Sequence, residues 1–68
     1  MLLKLDLNER QIKAIEFLKV NSKITNKQYQ ELNNVTKKTA TRDLKTLTDL
    51  ELIHSSGKAG AGAFYVLN

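Results

Sequence analysis

Residues 37 to 45, KKTATRDLK, hold four cationic side chains, Lys37, Lys38, Arg42 and Lys45, against one carboxylate, Asp43. Thr39 and Thr41 stand among them. Ammonium and guanidinium groups only donate, and a threonine hydroxyl adds one further donor. The chemistry such a set offers is the gripping of closely spaced anionic oxygens. Arg42 suits either a phosphate or a guanine edge, because its planar fork matches two acceptors at once. Lys37 and Lys38 suit phosphates, and Thr39 and Thr41 suit a phosphate or a thymine methyl. The same composition also suits an ordinary wet helix face, so the surrounding elements must decide.

The stretch 36–50 reads as one helix. Thr36 is the N-cap, its hydroxyl placed to accept from an unpaired amide of the first turn. Ala40, Leu44 and Leu47 fall at i, i+4 and i+7 and form one apolar stripe. At about 100° per residue, Lys38, Arg42 and Lys45 lie on the opposite side. Asp43 borders the stripe, where it orients an arginine or a backbone amide rather than reading a base.

Two more helices precede this one. Asn8 and Gln11 have the spacing of a capping box, with Leu7 and Ile12 as a hydrophobic staple. Ile12, Ile15 and Leu18 predict the buried stripe of that first helix, with Phe17 beside it and its end near Val20 or Asn21. Lys13, Glu16 and Lys19 stay wet. Lys23-Ile24-Thr25 reads as a short strand. Thr25 and Gln28 repeat the capping box, and Ile24 and Tyr29 repeat the staple, for a second helix over roughly 26–32 with Tyr29 and Leu32 inward. Asn33-Asn34-Val35 is the turn, since Asn tolerates a left-handed backbone, and Val35 tucks under Ala40. Two helices joined by about three residues, the second one basic, make a helix-turn-helix.

Residues 52–56 and 63–67 read as two strands around GKAGAG, which holds all three glycines of the chain. Glu51 stands where a helix end prefers Gly. The order is helix, short strand, helix, turn, helix, hairpin. That predicts an α+β fold: a winged helix-turn-helix of three helices and a small antiparallel sheet, with 57–62 as the wing loop. Residues 8–68 form the domain. Residues 1–7, with Leu3, Leu5 and Leu7 on one parity, are a short strand, a dimer contact or a linker tail. Lys58, in the wing loop, either reaches a phosphate or the minor groove or remains solvated.

Composition narrows the rest. The chain has 68 residues, a formal charge of +4 and no cysteine, with a pI of about 9.6. One small basic domain is expected to meet nucleic acid or another anionic surface. Neither disulfides nor thiolate metal sites are available, a composition that agrees with a cytoplasmic setting. No apolar run approaches a membrane span, so no membrane partner is expected. The glycine loop is followed by a strand, whereas a phosphate cradle needs a helix there. His54 is the one histidine, and Ser55 and Ser56 beside it point alternately to opposite faces. No nucleophile, base and orienting group are assembled. No enzyme activity, no cofactor and no metal are expected.

The stretch LNERQIKAIEFLKVNSKITNKQYQELNNVTKKTATRDLKTL resembles the C-terminal winged helix domain of RecG-like proteins, transcriptional regulators described as related to ATP-dependent DNA helicases. Similar domains end some Fic-family proteins. The likeness runs from about Leu7 to Leu67, and ITNKQYQEL followed by VTKKTATRDL carries it best. It implies DNA binding and transcriptional regulation, with Lys37, Lys38, Thr39, Thr41 and Arg42 facing the duplex. Such a domain usually closes a larger chain, so an upstream domain is an implied partner. The chain departs from the pattern at Asn34 and Glu51, where Gly is expected; the second departure bears on where helix three ends. No motor motif is present, so no helicase activity is carried over. The site expected is therefore Lys37, Lys38, Thr39, Thr41, Arg42, Lys45 and Lys58, on double-stranded DNA. The rival reading is a winged helix used for protein–protein contact or homodimerisation.

Overall fold

The computed structural model describes residues 7–56 and 63–68. Three helices, α1 (Glu9–Asn21), α2 (Asn26–Asn33) and α3 (Lys37–Asp49), are followed by the strands β1 (Ile53–Ser56) and β2 (Phe64–Leu67). The expected wing loop 57–62, with Lys58, lies outside the described residues, as do residues 1–6.

Each helix starts where its cap dictates. Asn8 accepts from the Gln11 amide at 2.8 Å while Gln11 Oε1 accepts from the Asn8 amide at 3.0 Å. Thr25 and Gln28 reproduce this exchange at α2. Thr36 accepts from the Thr39 amide at the start of α3.

The helix ends are less conventional. Ser22, Asn34 and Glu51 all have positive φ, at 74°, 54° and 64°, and each closes one helix. The Asn34 corner agrees with the expected turn. At α3 the Glu51 amide donates to the Thr48 carbonyl and the Leu52 amide to the Leu47 carbonyl. That pair of bonds is a Schellman motif, which asks for a left-handed residue at position 51. Glu51 accepts the strain of the left-handed region, and its carbonyl is held by the Asn68 side-chain amide.

The strands pair antiparallel, Ile53 opposite Leu67 and Ser56 opposite Phe64. The short strand expected at 23–25 is a single bridge instead. Ile24 and Tyr65 exchange both backbone bonds, at 3.0 and 2.8 Å. Thr25 turns into the α2 cap directly afterwards, which stops the ladder.

The core is Ala14, Leu18, Ile24, Tyr29, Ala40, Leu44, Leu47 and Ile53, drawn from all three helices, the bridge and β1. The α3 stripe of Ala40, Leu44 and Leu47 is fully buried, as its spacing predicts. The α1 stripe is corrected. Its buried residues are Gln11, Ala14 and Leu18, not Ile12, Ile15 and Leu18. With Leu18 common to both sets, the helix is turned by roughly 70°, less than one residue step. Gln11 can occupy the interior because its side chain is satisfied at both ends: Oε1 serves the cap and Nε2 donates to the Asp43 carbonyl. Ala14, small enough to let the helices close, replaces Ile15 in the core.

A candidate nucleic-acid interface on α3

The outer face of α3 is assembled by the burial of its inner one. With Ala40, Leu44 and Leu47 inside, Lys37, Lys38, Thr41, Arg42 and Lys45 are exposed. These five line one shallow depression on the surface. Thr39 is not among them. It is half-buried, its amide donates to the Thr36 hydroxyl, and its own hydroxyl accepts from that same group at 3.3 Å. Thr39 thus belongs to the cap.

Charge on this face is unevenly free. Lys45 pairs with Asp49 one turn on, at 3.2 Å. Among the described residues Lys37, Lys38 and Arg42 make no ion pair. The first turn of α3 carries no acidic residue. Lys37 and Lys38 therefore add positive charge to the positive end of the helix dipole, which weakens the helix and suits an incoming anion.

Asp43 lies on the inner side and fixes the pitch of α3 against its neighbours. It is 4% exposed. Arg10 Nε donates to its carboxylate at 2.7 Å and the Tyr29 hydroxyl donates at 2.8 Å. Burial works against charge on Asp43, but the bonds from Arg10 and Tyr29 outweigh it and hold the carboxyl below the usual range. Burial, followed by the bond to that carboxylate, pushes the Tyr29 hydroxyl well above its ordinary value. The expected role, orienting an arginine, is met by Arg10.

Three contributors were not among the expected residues. Asn26 Nδ2 donates to the Thr41 hydroxyl at 3.0 Å, and Asn26 Oδ1 accepts from Gln30, so α2 sets the Thr41 rotamer. The signal was present: Asn26 precedes the inward Tyr29 by three, which puts both on one side of α2. That Asp43 needs a cationic or hydrogen-bonding partner was findable, since a carboxylate beside an apolar stripe must be satisfied, but that the partner is Arg10 follows only from the packing of α1 on α3. Lys23 sits over the Phe64 ring, 5.0 Å from its centroid, at the loop end of the strand pair. No spacing in the sequence points to that contact.

No helix among the described residues is long and apolar enough to cross a membrane. Among those residues no group of three His, Cys, Asp or Glu side chains is placed to hold a metal ion.

No protein-family model matches this chain, and no curated protein does. Among solved structures, the fold is similar to the crystal structure of a MarR family transcriptional regulator from Silicibacter pomeroyi DSS, with a TM-score of 0.84 at 21% identity. The match covers 98% of this chain and 46% of that one, so this chain spans less than half of its length. At that identity the likeness speaks for the fold, and three helices closed by an antiparallel two-stranded sheet are the winged helix architecture that the sequence predicts.

Proposed function

We propose that this domain binds double-stranded DNA with α3 as its recognition helix, and that it serves transcriptional regulation. The observation that carries the reading is the division of α3. One side is fully buried, and the other gathers Lys37, Lys38, Thr41, Arg42 and Lys45 into one exposed depression. A major groove about 12 Å wide admits a single helix, and phosphates line both its edges. Lys37 and Lys38 meet phosphates near the helix start, and Arg42, one turn further on, reaches a phosphate or a guanine edge. Thr41 is aimed by Asn26. The loop 57–62, through Lys58, supplies a second and sequence-indifferent contact. The resemblance to RecG-like C-terminal domains adds regulation within a longer chain, and the MarR family neighbour is itself described as a transcriptional regulator.

The test is an NMR titration of labelled protein with duplex at low salt. Amides of residues 36–45 are expected to shift, with non-specific affinity on the order of 10⁻⁴ to 10⁻⁶ M at physiological salt. Arg42→Ala should weaken a selected site by about 1–3 kcal/mol and flatten preference among sequences. Lys58→Ala should weaken all duplexes equally. Unmoved amides over 36–45 sink the reading, and an Arg42→Ala variant with intact preference moves recognition away from α3.

A further inference from the structure

A threonine hydroxyl on a helix has a ready partner in the carbonyl one turn earlier. On α3, Thr46 and Thr48 use it: their hydroxyls donate to the carbonyls of Arg42 and Leu44, at 3.1 and 2.9 Å. Thr41 makes no such bond among the described residues. Its hydroxyl oxygen instead accepts from Asn26 Nδ2 at 3.0 Å. The other end of that amide is committed too, since Asn26 Oδ1 accepts from Gln30 Nε2 at 2.6 Å. Gln30 and Asn26 lie one turn apart on α2, so the two amides and the hydroxyl form a relay with one direction. Gln30 donates to Asn26, and Asn26 donates to Thr41. A hydroxyl carries a single proton. With a lone pair of Thr41 engaged from the side of α2, that proton is what Thr41 presents to the outside.

Thr41 is exposed and lies in the basic depression, one turn after Lys37 and Lys38 and one turn before Lys45. Long cationic stems thus flank a short hydroxyl on both sides. On a duplex the long stems meet phosphates at the groove edges, and the short side chain between them faces the base edges. We propose that Asn26 is a positioning residue that makes Thr41 a hydrogen-bond donor toward the bases, and that Thr41 thereby selects thymine against cytosine. This rests on the proposed docking of α3 in the major groove. There thymine offers O4, an acceptor, beside its methyl group, whereas cytosine offers only the N4 amino donor. A hydroxyl aimed as a donor bonds the first and opposes the second. The threonine methyl lies against the thymine methyl. The start of α2 then takes part in reading sequence without touching DNA.

The test starts from a duplex that the 68-residue chain selects from a randomised pool. Each position is then exchanged between a T·A and a C·G pair, and the affinities are compared by fluorescence anisotropy. At one position the parent should prefer thymine by about threefold to tenfold, the worth of one hydrogen bond. Thr41→Val keeps the shape and loses the hydroxyl, so the preference there should collapse. A carboxylate only accepts, so in Asn26→Asp the Thr41 proton turns inward, its lone pairs face the groove, and the preference should invert toward cytosine. An acidic residue in the first turn of α2 suits the helix dipole, so the fold is kept. The added charge weakens binding to every duplex alike and leaves the ratio of the two affinities untouched. An Asn26→Asp variant with the parent's ratio overturns the proposal. So does a parent without a thymine preference that depends on Thr41, which would put the hydroxyl on a phosphate. A parent that prefers cytosine there has the relay running the other way and overturns it too. In each of these cases, amides of residues 36–45 that shift on adding duplex keep α3 as the binding face. Amides that do not shift remove that face and the role of Asn26 together.

Discussion

Asp43 is the residue on which the pose of the basic face depends. Its carboxylate joins Arg10 on α1 and Tyr29 on α2, while its carbonyl accepts from Gln11 on α1. Three helices are thus pinned at one point on the second turn of α3. Asp43→Asn keeps the size but loses the charge, and it leaves Arg10 and the Tyr29 hydroxyl poorly matched. A loss of about 1–3 kcal/mol is expected. Because the folded-state pKa of Asp43 is lowered, its contribution is complete above the ordinary carboxylate pKa of about 3.9 and disappears as pH falls through the lowered value. Urea midpoints of parent and variant should therefore lie well apart at neutral pH and converge below about pH 4. A gap that persists into acid would assign the effect to packing rather than to the charge. The sequence shows that Asp43 borders the stripe. It does not show which arginine answers it, because Arg10 is 33 positions away and the pairing follows from the α1–α3 packing.

At the scale of the elements, helix starts were readable and so was roughly where the helices end, at Asn21 and at the Asn34 corner, but not the left-handed residues that close α1 and α3. Starts are set by local side-chain chemistry, and Asn8–Gln11, Thr25–Gln28 and Thr36 each act as their types and spacing predict. Ends depend on the backbone, and here Ser22 and Glu51 take left-handed conformations without being Gly or Asn. The departure at Glu51 leaves α3 ending where a glycine would end it, at the cost of local strain. Glu51→Gly should relieve that strain, net of the extra backbone entropy of glycine, and raise stability by about 0.5–1 kcal/mol in urea denaturation. Lower stability would mean that the Glu51 side chain contributes something its exposed position does not suggest. The rotation of α1 was unreadable for a different reason. Apolar periodicity put Ile12 and Ile15 inside, whereas Gln11 won the place through a bond to its own cap at Asn8 and a second, to the Asp43 carbonyl, that depends on α3. The start of α3 sets fold against function. Lys37→Glu should improve the dipole interaction and raise stability by about 0.3–1 kcal/mol. The same change should weaken binding to any duplex. A melt and a fluorescence anisotropy titration on one sample decide it, and a variant that binds as well as the parent removes the N-terminal end of α3 from the interface.

For the whole molecule, the net charge of +4 matters less than where it is free. Lys37, Lys38 and Arg42 are exposed and make no ion pair among the described residues, while Lys45 shares its charge with Asp49. Asp49 also lies in the last turn of α3, at the negative end of the dipole, where a carboxylate is unfavourable. Asp49→Asn therefore removes two effects of opposite sign on stability. The exposed pair is worth about 0.3–0.5 kcal/mol and the dipole conflict is of similar size, so the melting temperature should barely move. Binding should respond more. A freed Lys45 can neutralise one further phosphate, and each phosphate contributes about 0.9 to the slope of log K against log salt. The variant should bind random duplex more tightly at low salt, with a slope steeper by about 0.9, and the gain should shrink as salt rises. Anisotropy titrations at several salt concentrations measure both quantities. A parallel shift with unchanged slope would mean that Asp49 acts only through overall charge and that Lys45 does not touch the backbone. The working face would then narrow to Lys37, Lys38, Thr41 and Arg42 on the first two turns of α3.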